Sequence, residues 1–136
     1  MISAYNSTTQ TVDVGGAYVF DTNRISTGCT VGHTPGTTTF TLAKPGYYYV
    51  AFNTTFTTTA TGDATVELQI GGTAIPGATA TETVTTAGDT KSIAFATIVR
   101  VLPSCAAIDN TATITFVATG IAVDATVAAV QITKLC

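Results

Sequence analysis

The sequence predicts a single-domain, all-β sandwich from three observations: a threonine-heavy composition, turn residues at near-regular intervals, and short runs in which apolar and polar side chains alternate. Threonine supplies 32 of the 136 residues, and hydrophobic residues make up 46%. Thr, Val, Ile, Tyr and Phe suit a pleated, half-buried surface, whereas the strong helix formers Glu, Lys, Gln, Arg and Met are scarce. Glycine and proline punctuate the chain at Gly15-Gly16, Pro35-Gly36, Pro45-Gly46, Gly71-Gly72, Pro76-Gly77 and Gly88-Asp89, with further glycines at 28, 32, 62 and 120. A chain of this length fits one domain over residues 1–136, with a core of modest size.

The strands follow in order between those turns. Phe40 and Leu42 alternate with threonines, and Val66, Leu68 and Ile70 alternate with Thr65, Glu67 and Gln69, so each run has a clear inward face. Tyr48, Val50, Phe52 and Phe56 point one way and Tyr47, Tyr49, Ala51, Asn53 and Thr55 the other, which puts aromatic rings on both faces of one strand. One face fills the core, and the other stays dry only where a neighbouring subunit covers it. Ile93 to Leu102 has Ile93, Phe95, Val99 and Val101 on one side and Ala94, Ala96, Ile98 and Leu102 on the other, and is expected to be buried on both faces. Thr113 to Ala118, with Ile114 and Phe116, and Thr126 to Lys134, with Val130 and Ile132, close the sandwich. The count is eight to ten strands, with no helix longer than a turn and no linker. The chain has no Trp, so the Cys-Trp-Cys signature of immunoglobulin sandwiches is missing and a jelly roll is favoured.

Charge and motifs exclude several functions. Arg24, Lys44, Lys91, Arg100 and Lys134 are scattered in a chain of net charge -3, which offers no basic stripe for a nucleic acid. No segment reaches the length of a membrane helix, and Met1 to Asn6 has neither the basic nor the apolar region of an export signal, so synthesis and folding in the cytoplasm are expected. His33 in Gly32-His33-Thr34-Pro35-Gly36 has no Cys or acidic residue at ligand spacing and reads as a solvated loop residue. Asp63, Asp89, Asp109 and Asp124 fall in expected loops without calcium-loop spacing and read as turn residues. No serine or cysteine stands in a nucleophile motif, so no enzyme activity, metal or cofactor is expected. Cys29, Cys105 and Cys136 read as small buried hydrophobes, with a cross-link through Cys136 as the alternative.

Three stretches carry a family resemblance. Ala17-Tyr18-Val19-Phe20-Asp21-Thr22-Asn23, then Thr39-Phe40-Thr41-Leu42-Ala43-Lys44-Pro45-Gly46-Tyr47-Tyr48-Tyr49-Val50, then Thr65 to Gly77 together resemble the tumour-necrosis-factor/complement-head superfamily of trimeric jelly rolls, in its bacterial and phage branch. The Leu102 to Asp109 region departs from the family pattern, and the collagen-like stalk of complement and spore-surface members does not precede the head. The resemblance implies a homotrimer with Tyr48, Val50, Phe52, Val130 and Ile132 at the three-fold interface. It also implies a non-catalytic virion structural protein, a capsid decoration or head-fibre module at the virion surface. Its partners would be its own copies, other capsid proteins and host-surface or mucosal glycans, with no nucleic acid and no membrane. The alternative is a spore-coat or cell-surface protein resembling the heads of collagen-stalked spore glycoproteins.

Overall fold

A computed structural model describes residues 1–101 and 112–135. Its strands are β1 (Ile2–Asn6), β2 (Gln10–Val12), β3 (Thr22–Ser26), β4 (Val31–His33), β5 (Phe40–Leu42), β6 (Gly46–Thr57), β7 (Gly62–Ile70), β8 (Thr73–Val84), β9 (Lys91–Val101), β10 (Ala112–Thr119) and β11 (Val123–Lys134). They form two antiparallel sheets. One runs β3-β1-β11-β6-β9, with β2 also paired to β11; the other runs β4-β5-β10-β7-β8. Apart from the β4–β5 and β7–β8 hairpins, the chain crosses between layers from β5 onward, so most sheet neighbours come from distant parts of the chain and the fold is a jelly-roll β-sandwich.

Period-two burial explains why these segments settle as strands. In β7, Ala64, Val66 and Leu68 are buried while Asp63, Thr65, Glu67 and Gln69 face outward. In β6, Tyr48, Val50, Phe52, Thr54 and Phe56 point into the core. β11 begins in the same phase with Val123 and Ala125 inside, then changes it, because Ala128, Val130 and Ile132 are the buried residues further on. A bulge between Ala125 and Val127 makes the change, with Phe56 opposite Ala125 and Thr55 opposite Val127. The extra residue, Thr126, donates its hydroxyl to the Thr55 carbonyl at 3.0 Å, and Thr54 Oγ1 donates to the Val127 carbonyl at 2.9 Å. The β7–β8 hairpin closes on Gly71 and Gly72, with φ of 57° and 88°. Two positive φ angles in a two-residue loop are what a right-twisted hairpin demands.

Aromatic rings from both layers meet in the core. Phe52 of β6 stacks on Phe116 of β10 at 4.8 Å between centroids, and Phe20 and Phe40 stand edge-on to that pair. Tyr48 is fully buried, and its hydroxyl donates to the Lys44 carbonyl at 2.5 Å, pinning the Pro45-Gly46 turn to the strand that follows it.

Tyr18 is the exception in this core. It is fully buried, and among the described residues no group stands in hydrogen-bonding geometry to its hydroxyl. Desolvation pushes its pKa up to about 12, only partly opposed by the nearby Thr54 hydroxyl. A buried hydroxyl without a partner costs about 1–3 kcal/mol, so Tyr18→Phe is expected to stabilise the domain by about 1 kcal/mol in chemical denaturation. The unfolded phenol ionises near pH 10 while the folded one keeps its proton, so the folded state binds more protons and stability falls as pH rises from about 10 toward about 12. The slope from this group is roughly 1.4 kcal/mol per pH unit, and Tyr18→Phe is expected to remove that component.

Two expectations change. The strand at Ile93 was expected to be buried on both sides, but β9 is buried only on the side facing the second sheet: Ala94, Ala96 and Ile98 are exposed and Ile98 keeps 58% of its surface. Among the described residues nothing lies over its outer side. Cys29, expected inside, is an exposed free thiol in the loop between β3 and β4. Cys105 and Cys136, Asp109 and the Leu102 to Asp109 segment lie outside the described residues.

Candidate interaction face

Tyr48, Val50, Phe52, Val130 and Ile132, expected at a three-fold interface, are core residues of the single chain. Each keeps at most 1% of its surface in the single chain, because each points between the two sheets. The register shows why they belong together: Val50 pairs with Ile132 and Phe52 with Val130 across β6 and β11, on the inward side. A residue already covered by its own chain has no surface left for a neighbour.

Among the described residues, nothing covers the opposite side of the same sheet. Its rows across the strands read Leu135, Tyr47 and Arg100; Thr133, Tyr49 and Ile98; Ser3, Gln131, Ala51 and Ala96; then Tyr5, Ala129, Asn53 and Ala94. Ile25 joins beside Ser3, and Val127 lies opposite Thr55. Tyr47 and Tyr49 are each 42% exposed. Ala51, Ala94, Ala96 and Ala129 make the middle shallow, so that another backbone could approach it closely, while the larger side chains stand around them. Arg100 lies over the Tyr47 ring with its guanidinium carbon 5.6 Å from the centroid.

The other sheet has a different outer surface. Among the described residues, the exposed large hydrophobic side chains are Met1, Val14, Ile25, Tyr47, Tyr49, Ile98, Val127 and Leu135, and none belongs to β4, β5, β7, β8 or β10. Its outward residues satisfy one another: Thr65 and Thr81 share a hydroxyl contact of 2.8 Å, Thr83 donates to Asp63 at 2.9 Å, and Gln69 donates to Glu67 at 2.7 Å. Thus one sheet is finished for water and the other is not.

Charge divides by strand rather than by outer face, since Lys91 and Lys134 stand opposite the inward residues Phe56 and Tyr48. The strands of the six-stranded sheet carry Arg24, Lys91, Arg100 and Lys134 against Asp124 alone. Those of the five-stranded sheet carry Asp63, Glu67 and Glu82 and no Lys or Arg. The ion pair among the described residues, Lys91 Nζ to Glu82 Oε1 at 4.0 Å, joins the two sheets along the β8–β9 edge.

His33 is not a solvated loop residue. It ends β4, its ring stacks on Phe40 at 4.3 Å, and its nitrogens contact Asn23 Oδ1 at 2.6 Å and the Thr37 carbonyl at 3.0 Å. Asn23 Nδ2 donates to the His33 carbonyl at 2.7 Å, so the side chain fastens β3 of one sheet to β4 of the other. Asp63 and Asp124 lie within β7 and β11 rather than in loops, and Asp124 accepts the Thr11 hydroxyl at 2.8 Å. Among the described residues no three His, Cys, Asp or Glu side chains converge.

Comparison with known proteins places the fold. No family model matches the chain, and no curated protein matches it. Among solved structures it is similar to PRD1 vertex protein P5, with a TM-score of 0.55 at 15% identity over 99% of this chain and 96% of that one. It is also similar, at a TM-score of 0.39 and 13% identity, to a family 35 carbohydrate binding module from an environmental isolate, over 100% of this chain and 98% of the module. At these identities the first likeness establishes the jelly-roll fold, and the second is too distant to bear on it.

Proposed function

We propose that the chain is a non-catalytic structural protein of a virion surface: a homotrimeric capsid decoration or head-fibre module, assembled in the host cytoplasm and docked on other capsid proteins. The observation that carries this reading is the contrast between the two sheets. A sheet face bearing Tyr47, Tyr49, Ile98, Val127 and Leu135 around alanines is built for burial, while the threonine-covered face is built for solvent. Three copies that bury the first face present the second outward, and repeated weak contacts, to the capsid or to host-surface glycans, then add through multivalency. The likeness to PRD1 vertex protein P5 supports a particle-surface setting.

Fractionation of a source-culture lysate on a density gradient, followed by blotting for this protein, tests the reading. The expected result is co-migration with DNA-filled particles. Migration with spores or cell envelopes would overturn it in favour of a surface-coat protein.

A further inference from the structure

We infer that the free edge of β9 is a docking site for an extended segment of another capsid protein, which pairs with it as an added strand. The inference rests on the reading above of a virion protein docked on a capsid, and names the mode of docking. Leu135 donates its backbone N–H to the Tyr47 carbonyl at 2.7 Å, so Tyr47 directs its backbone groups toward β11. That direction alternates along a strand, so Tyr48, Val50, Phe52 and Thr54 direct theirs toward β9, where Val99, Thr97, Phe95 and Ile93 answer them. The N–H and C=O groups of Ser92, Ala94, Ala96, Ile98 and Arg100 therefore point off the free edge, and among the described residues no strand pairs with them.

An open edge recruits strands, and this fold blunts its other edges but not this one. β3 spans five residues and its pairing shifts where Arg24 falls; β4 spans three; β8 is interrupted by Pro76-Gly77 and a register shift. β9 runs eleven residues without Gly or Pro, in unbroken register with β6 from Lys91 to Val101. The same edge leaves Phe95 half-buried, although its ring belongs to the aromatic cluster around Phe52 and Phe116. An apolar side chain on an added strand would complete that cover.

Charge selects a foreign strand over a second copy. β9 carries Lys91 and Arg100 and no acid, and among the described residues Arg100 meets the Tyr47 ring and no carboxylate. Antiparallel pairing of two β9 strands about Ala96 would bring Lys91 of one copy and Arg100 of the next together at both ends. The occupant that fits is an extended segment with an acidic residue beside Arg100 and an apolar one over Phe95. Such a strand lies in the plane of the sheet, so it covers neither the face that three copies bury nor the threonine-covered one.

The experiment compares amide hydrogen exchange of the free chain with that of the chain on gradient-purified particles, and measures incorporation of tagged wild type, Ala96→Pro and Thr97→Lys into particles made in the source culture. Proline at 96 removes an N–H that points off the edge and breaks no bond of the sheet; lysine at 97, on the inward side opposite Val50, puts a charge under the edge. Both variants are checked for fold by circular dichroism and for wild-type mass by light scattering; either suffices if the other unfolds, and the exchange comparison needs neither. The expected result is exchange along β9 slowed at least tenfold on the particle, and incorporation of each folded variant reduced at least tenfold. β9 exchanging on the particle as it does in the free chain, or folded variants incorporated like wild type, would overturn strand addition and leave the virion reading standing. Slowing that appears when the free chain self-assembles without particles would overturn it in favour of a second copy at that edge. A chain missing from the particles altogether would overturn the virion reading, and this inference with it.

Discussion

Phe116→Ala is expected to cost about 3–5 kcal/mol of folding stability, read as a shift in the midpoint of urea unfolding at unchanged slope. Phe116 is fully buried and is the ring on which the two layers meet: it stacks on Phe52 at 4.8 Å and lies within 6.2 Å of Phe20, Phe40 and Phe95, centroid to centroid. Deleting it removes the transfer free energy of the ring and leaves a hole that neighbours on hydrogen-bonded strands cannot close. Since domains of this kind hold about 5–15 kcal/mol in all, the loss is a large share. Phe95 offers the contrast. It touches the same cluster from the edge strand β9 but is only half-buried, so Phe95→Ala should cost less than half as much.

Gly120→Ala should be nearly as damaging, although it adds a single methyl. Gly120 lies between β10 and β11 with φ of +85°, and an added Cβ would fall inside contact distance of the Asp63 carbonyl oxygen at the start of β7. The obstacle is backbone, so no rotamer change relieves it; β7 has to move away from β10, to which it is paired from Ile114 to Thr119. A loss of about 3 kcal/mol or more is expected, combining overpacking with the left-handed backbone. Gly28→Ala is the control: its φ is also positive, at +77°, but the space around it is open. It should show only the conformational cost of about 1 kcal/mol.

Much of this architecture was legible in the sequence because strand burial has a period of two and glycine marks the hairpins. Val66, Leu68 and Ile70, or Phe40 and Leu42, reveal an inward face without help from tertiary structure. The interaction face was harder to read. β6 has aromatic side chains on both sides, and local pattern alone cannot say which side the second sheet covers; Tyr48 proved inner and Tyr47 outer. The phase of β11 is concealed by the bulge at Thr126, which a threonine-rich sequence does not advertise. Ile98 looks like core by residue type and is exposed because it points away from the second sheet, beside Tyr49 of β6, a fact of layering rather than of composition. His33 was misread for a related reason, since Asn23 is brought to it by β3, the edge strand of the other sheet, and Phe40 by β5, its neighbour in its own.

The central claim is that the outer face of the six-stranded sheet is covered by another copy of the chain. Its most direct test is the mass in solution by light scattering, at tens of micromolar and low salt, on wild type and on Ile98→Asp. Ile98 is 58% exposed on that face, so an aspartate there costs the single chain little while placing an unpaired charge in the buried contact. The account predicts about three times the chain mass of 13.8 kDa for wild type and a folded monomer for Ile98→Asp. A wild-type mass of one chain, or an Ile98→Asp protein that assembles as well as wild type, would contradict it.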